Sequence, residues 1–148
     1  VKNACAVLEH EINSRDAAVS VDFSGAERID YPTFEAASIF ENLIGNALKY
    51  TKPNCKPCVR LRSWTIPGKI CVSVRDNGTG LQLPRDTEKV FGLFKRAHVE
   101  PPGSGIALYT IRKTLERYGG SIDIDSILGE WTEFTLTFPD VKRKKELK

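Results

Sequence analysis

The sequence predicts an α/β fold, a mixed sheet with helices on one face, and three observations lead to it. Residues 32–50 repeat apolar side chains at helical spacing. Apolar and polar residues alternate in two pairs of segments that read as hairpins, residues 59–66 with 69–75 and residues 121–125 with 131–138. A second helical stretch lies between the hairpins. Such an order of elements packs as one sheet with a helical layer.

Length and composition indicate a single soluble globular domain. The chain has 148 residues, of which 41% are hydrophobic and 28% charged, enough to form one core. We find no apolar run long enough to span a bilayer and no signal peptide at Val1. We therefore expect a cytoplasmic domain that makes no membrane contact itself, in a parent protein that could still be membrane-anchored.

The charges are concentrated at the C-terminus. The whole chain has a net charge of +3, and residues 141–148 contain five cations and one acid, so residues 1–140 are close to neutral. We predict that residues 1–140 form the domain and that 141–148 are a basic tail or linker stump. A near-neutral body argues against nucleic acid as the main partner.

Two of the four cysteines have a suggestive spacing. Cys55 and Cys58 are separated by two residues, as in redox pairs or half of a zinc site. No second pair of cysteine or histidine ligands exists, and a strand pattern follows where a redox motif would begin a helix. We predict reduced thiols without a metal, and the role of the pair stays open.

The first third of the chain reads as helix, strand and loop. Residues 1–15 carry apolar residues at helical spacing and predict one amphipathic helix. Alternation in residues 18–23 predicts a strand, and Ile29-Asp30 a second, short one. Pro32 suits the first turn of the long helix that follows.

That helix, residues 32–50, separates two chemistries. One face is apolar, whereas the opposite face places Asn42 and Asn46 one turn apart and ahead of Lys49. Asparagine is a mediocre helix former, so two on one stripe suggest a ligand. An amide oxygen can coordinate a hard cation, a lysine can meet phosphate, and Tyr50 can stack on a flat ring. A polar face that merely contains asparagine remains an alternative.

Two glycine-containing segments follow. The strand of residues 69–75 runs into Asp76-Asn77-Gly78-Thr79-Gly80, which allows close backbone approach to a ligand but is also a plain turn pattern. Residues 81–102 have little periodicity and resemble a mobile lid. Gly103-Ser104-Gly105 then begins a helix, whose free N–H groups suit phosphate.

Taken in order, these motifs resemble the ATP-binding domain of sensor histidine kinases. The family's N box, first glycine box, F box and second glycine box match Asn42 to Thr51, Asp76 to Gly80, Phe91 to Phe94 and Gly103 to Leu108. Four ordered motifs over nearly the whole chain are a specific signal. The resemblance implies a Bergerat-type two-layer α/β sandwich with an ATP lid.

The resemblance also implies roles for single residues. Asn46 would ligate Mg²⁺, Asn42 would help to hold metal and phosphates, and Lys49 and Arg96 would contact phosphate. Tyr50 would lie against adenine, whose amino group Asp76 would recognise. The remaining implied binding residues shape the pocket, anchor the lid or hold phosphates with their backbone: Gly78, Gly80, Phe91, Phe94, Gly103, Ser104, Gly105, Ile106 and Leu108.

The implied function is histidine phosphorylation in a two-component system. The chain would bind Mg-ATP and pass the γ-phosphate to a histidine on a separate helical dimerisation domain, with a response regulator downstream. His10 lacks a full acceptor box and His98 lies in the lid, so we expect a monomer that does not phosphorylate itself. Ala107 replaces a usual third glycine. The alternatives are an ATPase or Ser/Thr kinase of the same superfamily, or a degenerate nucleotide- or partner-binding module.

Overall fold

A computed structural model describes residues 1–81, 91 and 107–140, except for the side chains of residues 2, 3 and 107. The predicted lid, apart from Phe91, and the basic tail lie outside the described residues. The described helices and strands are α1 Lys2–Val7, α2 Glu9–Ser14, β1 Ala18–Asp22, α3 Thr33–Lys49, β2 Cys58–Ile66, β3 Lys69–Asp76, α4 Ala107–Arg117, β4 Ser121–Ile127 and β5 Trp131–Pro139.

The five strands form one mixed sheet in the order β1-β2-β3-β5-β4, which confirms the predicted architecture. β1 pairs with β2 in parallel, and the other three pairings are antiparallel. Both predicted hairpins are present, β2 with β3 around Pro67-Gly68 and β4 with β5 around residues 128–130. The parallel pairing of β1 with β2 is possible because α3 crosses over between them.

The core lies between one face of the sheet and the helices. Alternate residues of β2, β3 and β5 are buried on this inner face, and α3 packs its apolar stripe against them as predicted. The stripe comprises Ile39, Phe40, Leu43, Ile44, Ala47 and Leu48. α4 adds Ile111 and Leu115 to the same core, and α1 packs on α3 through Ala4.

Three details of the N-terminal half differ from the sequence prediction. The first helix is interrupted at Leu8, whose ψ of 8° ends α1, and its side chain packs towards Gly45 of α3. Ile29-Asp30 forms no strand, because the preceding loop crosses the end of β2, where Ser63 Oγ bonds both backbone groups of Ala26. α3 begins at Thr33, one residue after Pro32.

In the described part of the chain no helix is long and apolar enough to cross a membrane.

Residues 76–80, hereafter the glycine segment, pack against the tip of the β4–β5 hairpin. Gly80 has a φ of +69°, and a Cβ atom there would lie 2.2 Å from the carbonyl oxygen of Ile127. Gly129 N–H donates to the carbonyl of Thr79 at 2.6 Å. The hairpin tip therefore holds the glycine segment in place, and the backbone of Gly80 leaves no room for a side chain.

We predict that Gly80→Ala destabilises the fold far more than Gly68→Ala. Both positions have positive φ, but a Cβ at Gly68 meets nothing within 4 Å, so that variant bears only the backbone strain. We expect a loss of roughly 1 kcal/mol at Gly68 and roughly 3 kcal/mol or more at Gly80. Urea denaturation followed by circular dichroism measures both losses, and equal losses would contradict the packing described for Gly80.

Candidate functional site

A close backbone contact joins the C-terminal end of α3 to the glycine segment. Thr79 N–H donates to the carbonyl oxygen of Tyr50 at 2.9 Å. A Cβ at Gly78 would lie 2.2 Å from the same oxygen and 2.9 Å from the carboxylate of Asp76. Only glycine fits at position 78, and the contact brings the predicted residues of α3 next to the end of β3.

Asp76 ends β3 on the inner, helix-facing side of the sheet, opposite Thr132 in the register. Its Oδ1 accepts a hydrogen bond from Gly78 N–H at 2.8 Å. Burial raises the pKa of Asp76 to about 6, although the backbone N–H groups of Gly78 and Thr132 act in the opposite direction. The site thus contains a poorly solvated carboxyl group that can accept a hydrogen bond from a ligand.

α3 carries the predicted amide pair and the lysine in its last three turns. Asn42 and Asn46 are half-buried, and Asn42 Nδ2 donates to the carbonyl of Ser38 at 2.9 Å. That bond uses one of the two N–H groups of the Asn42 amide, so the amide oxygen and the second N–H are available to a ligand. Lys49 is exposed, and among the described residues its ammonium group forms no ion pair.

Tyr50 immediately follows α3 and is half-buried. Its N–H donates to the carbonyl of Asn46 at 3.0 Å, which continues the helical hydrogen bonding by one residue. Its own carbonyl is the acceptor for Thr79. Tyr50 is therefore held by its backbone from both sides, at the junction of α3 and the glycine segment.

Two residues of the predicted F box and second glycine box are described. Phe91 is buried, packs edge-to-face on Phe134 of β5 at 6.4 Å, and lies 5.6 Å beneath the guanidinium of Arg112. This packing fixes Phe91 in the core, and its role as an anchor of the lid stays a prediction. Leu108 is partly buried against the core, so its visible role is packing, and its part in nucleotide binding stays a prediction.

The structure brings seven predicted site residues into one region through the α3–glycine segment contact: Asn42, Asn46, Lys49, Tyr50, Asp76, Gly78 and Gly80. The other predicted site residues lie outside the described residues: Phe94, Arg96, Gly103, Ser104, Gly105 and Ile106.

Sequence reasoning missed the side chains that brace the glycine segment. Asn77 Oδ1 accepts from Cys58 N–H at 2.8 Å, and its Nδ2 donates to the carbonyl of Lys56 at 3.1 Å. Asn77 thereby connects the glycine segment to the start of β2 at Cys58 and to the preceding loop, which contains Cys55. An asparagine before glycine reads as a turn residue, so its sequence gives no sign of this long-range role.

A second brace centres on Ser126 of β4. Its Oγ accepts from Leu81 N–H at 2.7 Å and lies 2.6 Å from the carbonyl of Trp131, to which it donates. Its single proton is then used, so Thr132 Oγ1, 2.9 Å away, donates to it. Lys52 Nζ adds a bond to the carbonyl of Gly129 at 3.3 Å. No sequence pattern signals these contacts.

The donor set fits a nucleotide. Thr79 Oγ1 is buried and has no hydrogen-bond partner among the described residues, and beside it Asp76 is a poorly solvated acceptor. Both features suit the polar edge of a base. In the described part of the chain, no three histidine, cysteine, aspartate or glutamate side chains are grouped so that they could hold a metal ion.

Comparisons with known proteins agree with this arrangement. Residues 34–142 match the family model of histidine kinase-, DNA gyrase B-, and HSP90-like ATPases. The chain is 33% identical over 109 residues to sensor protein RprX of Bacteroides fragilis, covering 71% of the chain and 21% of RprX. It is 34% identical over 140 residues to the methanogenesis regulatory histidine kinase FilI of Methanothrix harundinacea, covering 94% of the chain and 16% of FilI. The chain thus spans about a fifth or less of these relatives.

Solved structures share the fold at lower sequence identity. The catalytic domain of histidine kinase ThkA superposes with a TM-score of 0.78 at 21% identity, over 93% of this chain and 88% of that one. Full-length ShkA in complex with AMPPNP gives a TM-score of 0.78 at 22% identity, over 93% of this chain and 28% of that one. Together with the family match, these findings show that the chain belongs to the histidine kinase-, DNA gyrase B- and HSP90-like ATPases, among the catalytic domains of sensor histidine kinases.

Proposed function

We propose that this domain binds Mg-ATP and donates the γ-phosphate to a histidine on a separate helical dimerisation domain. The observation that carries the proposal is the contact between the Tyr50 carbonyl and the glycine segment. It joins a poorly solvated carboxyl group, Asp76, to a helix that presents two amides and a lysine. AMPPNP, an ATP analogue, is bound in ShkA, a structure with the same fold.

Each residue has a distinct task in this proposal. Asp76 accepts a hydrogen bond from the adenine amino group, and Tyr50 lies against the ring. Asn46 ligates Mg²⁺, Asn42 helps to hold metal and phosphates, and Lys49 contacts phosphate. The metal neutralises charge on the transferring phosphoryl group. Phosphoryl transfer needs mainly such positioning and charge neutralisation, which this set of residues supplies.

The acceptor histidine and the downstream response regulator belong to other domains or chains in this proposal. His10 is exposed on the short helix α2, and the described residues around it form no helical hairpin. Phe94 retains its proposed role as an anchor of the lid, and Arg96 and the backbone of residues 103–106 retain their proposed roles towards phosphate. The domain acts in the cytoplasm as a monomer that docks on its acceptor domain.

An ATPase of the same superfamily is the main alternative for this site. An ATPase would be expected to carry a glutamate base at the position of Asn42, and the Asn42 amide is no base. Neighbouring Glu41 is half-buried and lies off the polar stripe of α3. A slow rate of ATP hydrolysis by the isolated domain therefore supports the kinase, and multiple turnovers without an acceptor would favour the ATPase.

We predict that Asn46→Ala weakens ATP binding only when Mg²⁺ is present. The variant removes the amide oxygen assigned to the metal and leaves adenine recognition intact. Isothermal titration calorimetry with ATP, once in Mg²⁺ and once in EDTA, measures both affinities. We expect the variant to bind ATP about tenfold or more weakly than wild type in Mg²⁺ and equally well in EDTA.

The matched control is Asn13→Ala, which removes an exposed amide from α2. It should leave both affinities unchanged. If Asn46→Ala bound Mg-ATP as tightly as wild type does, Asn46 would not be a ligand of the metal.

We predict that Asp76→Asn stabilises the unliganded domain at pH 8 while abolishing the preference for ATP over GTP. Burial raises the pKa of Asp76 from 3.8 to about 6, so the ionised form is disfavoured in the fold by about 3 kcal/mol. A raised carboxyl pKa gives stability that is complete below about pH 4 and is lost as the pH rises through 6. Asparagine cannot ionise, so the gain in stability of Asp76→Asn over wild type should grow between about pH 4 and pH 6 and stay constant up to pH 8. Any loss of the hydrogen bond from Thr132 N–H would reduce this gain.

Denaturation at several pH values measures this effect, with the exposed Asp30→Asn as the matched control. The control should show no such pH-dependent gain. In nucleotide competition wild type should prefer ATP, because guanine presents a carbonyl where adenine has its amino group. Equal competition by GTP in wild type would show that Asp76 does not read the base.

We predict that the purified chain does not phosphorylate itself efficiently. Transfer requires an acceptor held in line with the γ-phosphate, and neither His10 nor His98 belongs to a complete acceptor motif. Incubation with γ-labelled ATP and Mg²⁺, followed by alkaline gel analysis, should show little label. A separately purified acceptor domain of the parent kinase should restore slow labelling of that domain. Strong acid-labile label on His10 or His98 would contradict the prediction.

A further inference from the structure

The outer face of the sheet, opposite the helices, is divided into a basic half and an acidic half. The strand register places two rows of side chains across it. One row runs Arg60, Arg75, Glu133, Asp125, and the next runs Arg62, Ser73, Thr135, Asp123. The outer charged face, as we call it, consists of Arg60, Arg62 and Arg75 on β2 and β3, with Asp123, Asp125 and Glu133 on β4 and β5.

Part of this charge arrangement is unfavourable for the stability of the isolated domain. Arg60 lies directly opposite Arg75, and Glu133 lies directly opposite Asp125. Like charges directly opposite each other destabilise a sheet. The third pair of this row, Arg75 opposite Glu133, is favourable. Exchanging Arg75 with Asp125 would turn the two like pairs into opposite pairs and this one opposite pair into a like pair, so the observed order has one more like pair than the exchanged one.

The charged side chains of this face also form few electrostatic contacts within the domain. None of the six side chains of the outer charged face forms a salt bridge in the described part of the chain. Arg75 lies 4.0 Å from the centre of the Trp131 ring, and Asp125 accepts from Ser126 N–H at 2.9 Å. Asp22 of β1 lies opposite Arg62, and its carboxylate is bonded to Ser24 N–H and Oγ. The Ser24 hydrogen bonds, and to a smaller extent the charge of Arg62, lower the pKa of Asp22, so Arg62 has a weak electrostatic partner but no ion pair among the described residues. Both halves therefore remain available to a charged partner.

We propose that the outer charged face pairs with the same face of a second copy of this chain. A two-fold axis parallel to the strands turns one face onto the other and exchanges left for right. It places the basic half of each copy over the acidic half of its partner, twice per dimer. A basic or acidic partner of another kind would match only one half, whereas a second copy matches both.

The expected association is weak. The two charged rows span four strands about 4.8 Å apart, an area of roughly 300 Å² per copy and about 600 Å² in total. Stable interfaces bury more than about 1,200 Å². We expect a dissociation constant of about 0.1–1 mM at low salt, so the chain stays monomeric at micromolar concentration. Because four of the six charged side chains, Arg60, Arg62, Asp123 and Asp125, are exposed, raising the ionic strength to about 0.5 M should weaken the contact at least tenfold.

Reciprocal charge reversal tests the pairing. One variant carries Arg60→Glu and Arg62→Glu, and the other carries Asp123→Lys and Asp125→Lys. In either variant alone, like charges face each other across both contacts, so self-association should disappear. In an equimolar mixture both contacts become complementary again, and association should return. Sedimentation equilibrium of the unliganded chain up to about 1 mM in low salt measures each case, independently of nucleotide binding.

The control is Glu9→Lys with Glu11→Lys, a reversal of two exposed charges on α2, away from the sheet. It should associate like the wild type, and circular dichroism should show every variant folded. Three outcomes would overturn the proposal: a wild-type monomer at 1 mM in low salt, no association in the mixture, or an equal loss in the α2 control. If the wild-type chain stayed monomeric at 1 mM in low salt, the outer charged face would instead be a candidate binding surface for a charged segment of another chain.

Discussion

The hydrogen bond from Thr79 N–H to the carbonyl of Tyr50 is the contact on which the rest of the site depends. It connects two elements with different internal periodicities, the end of α3 and the end of β3, at 2.9 Å. A helix packed on a sheet by apolar contacts alone could slide, because such contacts have little directionality. The backbone bond sets the position of α3 along β3, and the absence of a side chain at Gly78 makes the approach possible.

Asp76 shows how binding and stability oppose each other in this fold. A carboxyl group at the end of a strand could lie in water, where it would not affect folding. Here it ends β3 on the helix-facing side, and burial raises its pKa to about 6. At neutral pH most of the domain population therefore holds a poorly solvated carboxylate. A ligand that donates a hydrogen bond to this group would compensate part of that unfavourable solvation, so in the proposed role of Asp76 the feature that weakens the empty fold would favour selective binding.

The sequence was sufficient for the features that repeat with a period or occur as an ordered motif. The apolar stripe of α3 and the alternation in both hairpins predicted the sheet and its helical layer, because burial on one face leaves a 3.6- or 2-residue pattern. The break at Leu8 was missed, since the helical pattern continues through it. Asn77 and Ser126 were missed for another reason: their bonds reach residues 19 to 45 positions away and leave no local pattern.

One register builds both faces of the sheet. Val74, Phe134 and Asp76 point to the helices, and the residues between them, Arg75 and Glu133, point away. A slip of one residue between β3 and β5 would bury the charged pair and expose the core, so the burial of the inner face specifies the charge pattern of the outer face. The two faces are nevertheless separate in their chemistry, because the sheet itself lies between the outer charges and the helix-facing side, where α3 meets the glycine segment. Substitutions on the outer charged face should therefore leave the inner-face residues of the proposed nucleotide site in place.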